Sequence, residues 1–243
     1  MVIPAKDVDE KIKQKISAMP EGLALGMTPQ QLADLAAFLS EDPARKPKLG
    51  PETALWNGRD FAGWTYHLSD PKKKMEDVWS IDGGEIVCKG NPVGYIRTTA
   101  DYTSFVLTLD WRFDPKKGPG NSGVLLRMVG QDRVWPKSVE AQLMSRDAGD
   151  IWDIDDFPIL VDPARTDGRR TVKLQPCNEK PLGEWNHYEI TLDRGELRLV
   201  VNGELQNRAS WVEEVPGKIC LQSEGPRSTS ATFACGRSCR RRR

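Results

Sequence analysis

From residue 54 onward the chain alternates, and that constrains its fold more than any other feature. In FVLTLDWRF, Phe105, Leu107, Leu109, Trp111 and Phe113 fall on one face, with Thr108, Asp110 and Arg112 on the other. A period of two belongs to an extended ribbon, in which successive side chains point to opposite faces; a helix would need a period of 3.6. The same texture returns in HYEITLDRGELRLVVNGELQ, where Tyr188, Ile190 and Leu192 are followed by a turn and then by Leu197, Leu199 and Val201. Asn202-Gly203 is a strong two-residue hairpin signal, because both positions accept positive φ. Roughly ten to twelve candidate strands can be traced between Ala54 and Phe233, too many for a small immunoglobulin-type sandwich. The expectation is an all-β jelly roll of two curved antiparallel sheets.

The 243 residues suffice to bury a substantial core. Lysine plus arginine and aspartate plus glutamate number 35 each, so no global field points to nucleic acid or to an acidic partner. The five cysteines form no C-x-x-C pair, and with only two histidines a zinc cluster has poor material. No apolar run is long enough for a membrane-spanning helix. The composition therefore predicts neither a nucleic-acid nor a membrane partner.

Within this pattern, KSVEAQL is unusual. Val139, Ala141 and Leu143 mark one face as core, which sends Ser138, Glu140 and Gln142 to the other. On the preceding run, GVLLRMV, the same alternation sends Arg127 away from Leu126 and Met128. A carboxylate, an amide and a guanidinium are thus expected to converge on the polar face of a curved sheet, which in jelly rolls forms a cleft. An ordinary solvated face with a cross-strand ion pair is the other reading. Around these lie Asn121 in GPGNSG, where glycine allows close approach of backbone to ligand, and Arg97 in GYIRT, placed to reach a ligand or to pair with an aspartate. Trp135 and Trp152 flank the polar strand as sugar-stacking platforms or as packing, and Glu224 in LQSEG is a candidate second carboxylate. Asp153, Asp155 and Asp156 form an acidic loop with calcium ligands among its residue types.

These segments also carry a resemblance. LWNGRDFAGW, DVWSIDGGEIVCKG, GYIRT, DYTSFVLTLDWRF, GPGNSGVLLRM, WPKSVEAQL, PLGEWNHYEI, VNGELQN and GKICLQSEG follow one another from Leu55 to Gly225. In that order and spacing they resemble the 3-keto-disaccharide hydrolase family. The resemblance implies a concanavalin A-like jelly roll acting on glycosides whose C3 hydroxyl has become a ketone. That carbonyl acidifies the C2 hydrogen, so a carboxylate base removes it, the enolate expels the C1 substituent, and water adds back. On this reading Glu140 serves as base or metal ligand. Arg127 and Gln142 bind the ketone or neighbouring hydroxyls, and Asn121, Arg97, Trp135, Trp152 and Glu224 line the substrate. A divalent metal in place of Arg127 is the alternative electrophile; no ligand set for it follows from the sequence. The family's usual location is periplasmic or extracellular. The rival from another class is a non-catalytic, lectin-like sugar-binding module of a larger redox protein, since one fold hosts many functions.

Both ends depart from this pattern. Residues 1–41 carry the helical signature TPQQLADLAAFLSE, with Thr28 as N-cap and Pro29 at the first helical position. The stretch SAMPEGLALGM is similar to the end of the c-type haem domains that precede such β domains in planctomycete proteins, with Met19 at the axial-ligand position. No cysteine precedes Cys88, so C-x-x-C-H is missing and no haem is expected. Residues 1–41 are therefore read as the remnant of a truncated cytochrome c-like domain, 42–53 as a linker, and 54–234 as the jelly-roll domain. Residues 226–243, ending in CGRSCRRRR, are read as a frameshifted basic tail. One permitted codon choice for Arg227 to Gly236, taken two nucleotides out of phase, encodes Ile-His-Phe-Arg-Asn-Val-Arg-Val-Arg, a strand of the type the family ends on. On that reading the domain lacks its closing strand and exposes a sheet edge.

Overall fold

The computed structural model describes residues 49–224 and 231–242 together with Thr28, with side chains over 53–224. The chain divides into two compact units, residues 1–46 and 47–243, and the sheets belong to the second. The helical segment, Met19 and residues 42–48 of the linker lie outside the described residues, apart from Thr28.

Among the described residues sixteen strands follow in chain order: β1 (Leu49–Thr53), β2 (Trp64–Leu68), β3 (Trp79–Asp82), β4 (Glu85–Cys88), β5 (Gly94–Thr98), β6 (Phe105–Phe113), β7 (Gly123–Val129), β8 (Lys137–Gln142), β9 (Ile151–Ile154), β10 (Thr166–Asp167), β11 (Arg170–Thr171), β12 (Asn186–Asp193), β13 (Glu196–Val201), β14 (Glu204–Ala209), β15 (Lys218–Ser223) and β16 (Ala231–Arg242). They form two antiparallel sheets of eight. The first runs β14-β13-β12-β6-β16-β4-β3, with β1 also paired to β16; the second runs β10-β11-β9-β8-β7-β15-β5-β2. The count exceeds the sequence expectation because very short strands such as β10 and β11 leave no periodic signature. Asn202 and Gly203 both take positive φ, 49° and 84°, and close the β13–β14 hairpin.

The main core lies between the sheets. Phe105, Leu107, Leu109, Trp111 and Phe113 of β6 join Tyr188, Ile190 and Leu192 of β12 and the inward residues of β13, all buried as the alternation requires. The second sheet contributes Ile96, Val124, Leu126, Val139, Ala141, Ile151, Ile219 and Leu221. Its opposite face carries a separate apolar cluster of Tyr95, Leu125, Met128, Ile154 and Cys220, with Trp152 against it. The central strands of this sheet are therefore buried on both faces.

Three expectations need correction. Residues 49–53, assigned to the linker, form β1 and pair with β16. The place of a closing strand is filled, because β16 runs between β4 and β6, with Thr232 opposite Val87 on one side and Arg112 on the other. Residues 231–242 thus belong to the sheet and leave no open edge between β4 and β6, where a missing last strand would have left one.

The third correction concerns Arg127. The β7–β8 register shifts between Leu126 and Val129, and Arg127 sits in that irregularity with φ of 48°. Alternation breaks there: Leu126 faces the main core, whereas Met128 joins the opposite cluster. The buried guanidinium donates to backbone carbonyls, from Nε to Thr103 (2.8 Å) and from Nη1 to Val212 (2.9 Å) and Glu213 (2.6 Å). Burial lowers its pKa, although three carbonyl dipoles compensate the charge. Arg127 is a clamp that ties the 211–215 segment and the Thr103 turn to β7. Removing it would leave buried carbonyls unpaired, each costing about 1–3 kcal/mol. Arg127→Met is accordingly expected to lower the unfolding free energy by about 3 kcal/mol or more, read as the midpoint shift in urea titration. Arg127→Lys should restore only part of this, since an ammonium lacks the planar fork.

Candidate active site

The site is built across three neighbouring strands of the second sheet. On β8, Ser138, Glu140 and Gln142 point away from the main core, as the alternation predicts, and all three are buried. Glu140 is opposite Leu125 of β7 on one side and Trp152 of β9 on the other. Gln222 of β15 is opposite Tyr95 of β5, which fixes its side chain on the same face as the second apolar cluster. Between Glu140 and Gln222 lies Gly123 of β7. A Cβ on Gly123 would overlap Glu140 Oε1 and Gln222 Oε1 and come within 2.8 Å of Glu140 Cδ. The missing side chain is what lets the carboxyl and the carboxamide meet.

The face is dry in part because the β7–β8 connection folds back over it. Asp132, in that connection, accepts from Tyr95 Oη (2.8 Å) and takes both forks of Arg97, at 2.8 and 2.9 Å, although β15 separates β5 from β7. Arg133 of the same connection pairs with Asp155 beyond β9. The guanidinium beside Asp132 holds that carboxyl below the usual range.

Under this cover Glu140 is 4% exposed, and its Oε1 has no hydrogen-bond partner. Desolvation pushes its pKa up to about 8, and the charge of Glu224 adds to the rise, while the Gln222 amide and Arg169 oppose it. Burial also raises Glu224, which follows β15 two residues after Gln222. Gln222 is 2% exposed; its amide adjoins the Glu140 carboxyl, and neither Oε1 nor Nε2 has a partner elsewhere. The buried indole Nε1 of Trp152 is likewise unpartnered. Most buried polar groups in folded proteins find partners, so such a concentration of unpaired donors and acceptors around one carboxyl marks a place prepared for a polar guest.

The residues expected at the site divide into two groups. Glu140 and Trp152 are together on one face, and Glu224 is near enough to act on the Glu140 charge. Arg127 is not brought to Glu140, because the bulge directs it to the Thr103, Val212 and Glu213 carbonyls. Gln142 folds onto its own chain, its Oε1 accepting from the Leu143 and Met144 amides at 2.8 Å each. Arg97 is committed to Asp132. Trp135 is 42% exposed just before β8, and Asn121 lies two residues before Gly123 with a buried, unpartnered Oδ1. Of the acidic loop, Asp153 Oδ1 accepts the Phe157 amide and Asp155 is paired. Among the described residues no three His, Cys, Asp or Glu side chains gather as a metal-binding set. Gln222 and Gly123 were not singled out by sequence reasoning. Period-two reading of KICLQS does put Gln222 on the face opposite Ile219 and Leu221, but nothing local shows that β15 lies beside β7.

A family model describing the 3-keto-alpha-glucoside-1,2-lyase-like domain matches residues 51–233. The chain belongs to this family. As a 3-keto-alpha-glucoside-1,2-lyase-like domain it is carbohydrate-active and of glycosidase type. Two candidate glycosyl hydrolases from Parabacteroides distasonis superpose on it with TM-scores of 0.53 and 0.56, at 22% and 19% identity. The superpositions cover 82% and 80% of this chain and 100% of each of the other two. A β-glucanase from Bacillus licheniformis superposes at 0.54 with 11% identity, over 80% of this chain and 99% of that one. No curated protein matches the sequence. At these identities the likeness shows the fold, a concanavalin A-like jelly roll.

The raised Glu140 pKa has a consequence for stability. Between the ordinary value of 4.5 and about 8 the native state keeps a proton that the unfolded chain has lost, so stability falls as pH rises through that window and levels off above it. Glu140→Gln removes this dependence. The variant is expected to gain on the wild type between pH 5 and 8, by up to about 1.4 kcal/mol per pH unit, in paired denaturant titrations. A difference that stays flat across this range would show that the carboxyl ionises normally.

Proposed function

We propose that this domain cleaves the glycosidic bond of 3-keto-glycosides, with Glu140 as the base that removes the C2 proton. The observation that carries the reading is a buried carboxyl with an unpartnered oxygen, poised near neutral pH in a family of 3-keto-alpha-glucoside-1,2-lyase-like domains. Desolvation that raises a carboxyl pKa also makes its ionised form a stronger base, and a base works best with a pKa near the working pH.

The electrons balance without an external reagent. Glu140 takes the proton from C2, and the C–H pair becomes the C2=C3 double bond as the C3 carbonyl oxygen takes up negative charge. When the carbonyl re-forms, the pair moves to C1=C2 and the bond from C1 to the leaving oxygen breaks. Glu224, whose pKa is raised by burial, supplies the proton that the leaving oxygen needs. Water then adds across C1=C2, hydroxyl to C1 and proton to C2, so that the sum is hydrolysis. Trp152, level with Glu140 on β9, supplies an apolar flank and a free indole N–H for the sugar. A sugar-binding module would need no desolvated carboxyl at its centre, only an aromatic platform with a polar rim.

Incubation with 3-keto-glucosides of both anomers tests this. Release of the aglycone is expected to depend on Glu140, with Glu140→Gln about 10²- to 10⁴-fold slower. In the wild type kcat/KM should rise about tenfold per pH unit on the acid side of about pH 8, following ionisation of the base. Saturable binding of the sugar without turnover would favour the binding-module reading instead.

A further inference from the structure

Carbanion chemistry next to a ketone needs a second participant besides the base. As the C2 proton leaves, charge moves onto the C3 oxygen, and a donor aimed there stabilises the transition state more than the ground state. Of the two side chains that sequence reasoning offered for this task, Arg127 is engaged elsewhere and Gln142 is turned onto its own chain through its oxygen. Arg127 is spent on three backbone carbonyls, and Gln142 Oε1 on two backbone amides. The described side chain that combines a buried, unpartnered donor with contact to the Glu140 carboxyl over the same glycine is Gln222.

We infer that Gln222 is a catalytic residue of this site: its Nε2 donates to the C3 oxygen of the 3-keto sugar as the enolate forms, and its Oε1 accepts from the adjacent sugar hydroxyl. Three observations carry the inference. Both polar atoms of the carboxamide lack a partner beyond the adjoining Glu140 carboxyl although the side chain is 2% exposed, a burial cost that a ligand with matching groups would offset. The carboxamide and the Glu140 carboxyl close on the same space above Gly123, which sets the two side by side on one face of the sheet. Gln222 is also fixed from behind: its backbone carbonyl accepts from Ser122 Oγ at 2.9 Å, and its strand is paired with β5 and β7 on either side. A donor held this rigidly needs little reorganisation when charge appears.

An α-ketol unit, a ketone beside a hydroxyl, offers one acceptor and one donor, and a carboxamide offers the complement. The same sugar with an unoxidised C3 hydroxyl has no carbonyl to take up charge. It would bind without C2 exchange, so the inference also makes the oxidation state at C3 the feature this site selects.

The assignment rests on Glu140 as base, and the test separates the two. The full chain is incubated in D₂O with methyl 3-keto-glucopyranosides, and deuterium at C2 and methanol release are both followed by NMR. Gln222→Met keeps volume and removes the donor; Gln222→Glu keeps shape and, once ionised, replaces the donor by an acceptor. Either is expected to lower kcat and kcat/KM together by about 10²- to 10³-fold, with C2 exchange falling in parallel and unfolding midpoints near that of the wild type. If Gln222→Met does not fold, Gln222→Glu carries the same comparison. A wild type that exchanges C2 and needs Glu140, beside Gln222 variants within threefold of it, overturns the Gln222 assignment and leaves the base in place. A wild type that neither exchanges C2 nor releases methanol overturns both.

Discussion

Desolvation of one carboxyl, that of Glu140, is the constraint on which the proposed chemistry of this domain depends. A charge moved from water into an apolar setting is strongly disfavoured unless paired, and a jelly-roll sheet ordinarily leaves one of its faces wet. Here the second sheet is buried on both faces at its centre. Val139, Ala141 and Leu143 pack in the sandwich, while Leu125, Ile154 and Cys220 form a second apolar layer around Glu140. The β7–β8 connection is drawn across this layer by Asp132, which answers both Tyr95 and Arg97. Arg97 is thereby occupied at the rim, and the Glu140 carboxyl stays within reach of protonation at neutral pH.

Rigidity of the surroundings keeps it there. Strands close in space but distant in sequence supply the floor: β15 is hydrogen-bonded to β7, whereas Ser122 and Gln222 are a hundred residues apart along the chain. Gly123 contributes by omission, since any larger residue would need Glu140 and Gln222 to separate. Arg127, one bulge further along the same strand, anchors the 211–215 segment that leads into β15. One strand thus carries both the gap that makes the site and the clamp that fixes the element behind it.

The legible part of this arrangement was whatever depends on neighbours in sequence. Period-two alternation identified the core faces of β6, β12 and β13, the Asn202-Gly203 hairpin, and the burial of Val139, Ala141 and Leu143 opposite Glu140. It failed at Arg127 because a bulge adds a residue to one strand only, and nothing in GVLLRMV announces that Arg127 takes φ of 48°. It did not reveal that the amide oxygen of Gln142 caps the turn that follows β8, a local hydrogen bond that competes with any ligand for that atom. It passed over Gln222 because the value of that residue lies in strand order, which period cannot reveal. The last strand was misjudged for a related reason: ladder hydrogen bonds are made by backbone, so β16 occupies its place between β4 and β6 with a sequence unlike the one expected there.

Two carboxyls with raised pKa values on one face also bear on how the proposed reaction would cycle. Burial raises both, and the charge of Glu224 adds to the rise of Glu140, so a proton on Glu224 eases ionisation of Glu140. Elimination needs one group to accept a proton at C2 and another to give one to the leaving oxygen. A singly protonated pair meets both needs, and it ends the step singly protonated with the roles exchanged. Hydration then runs through the same two groups in reverse, because water must lose a proton as it joins C1 while C2 regains one. The pair would return to its starting state without exchanging protons with solvent, which is how a site with a dry face and few charged residues can complete a hydrolysis.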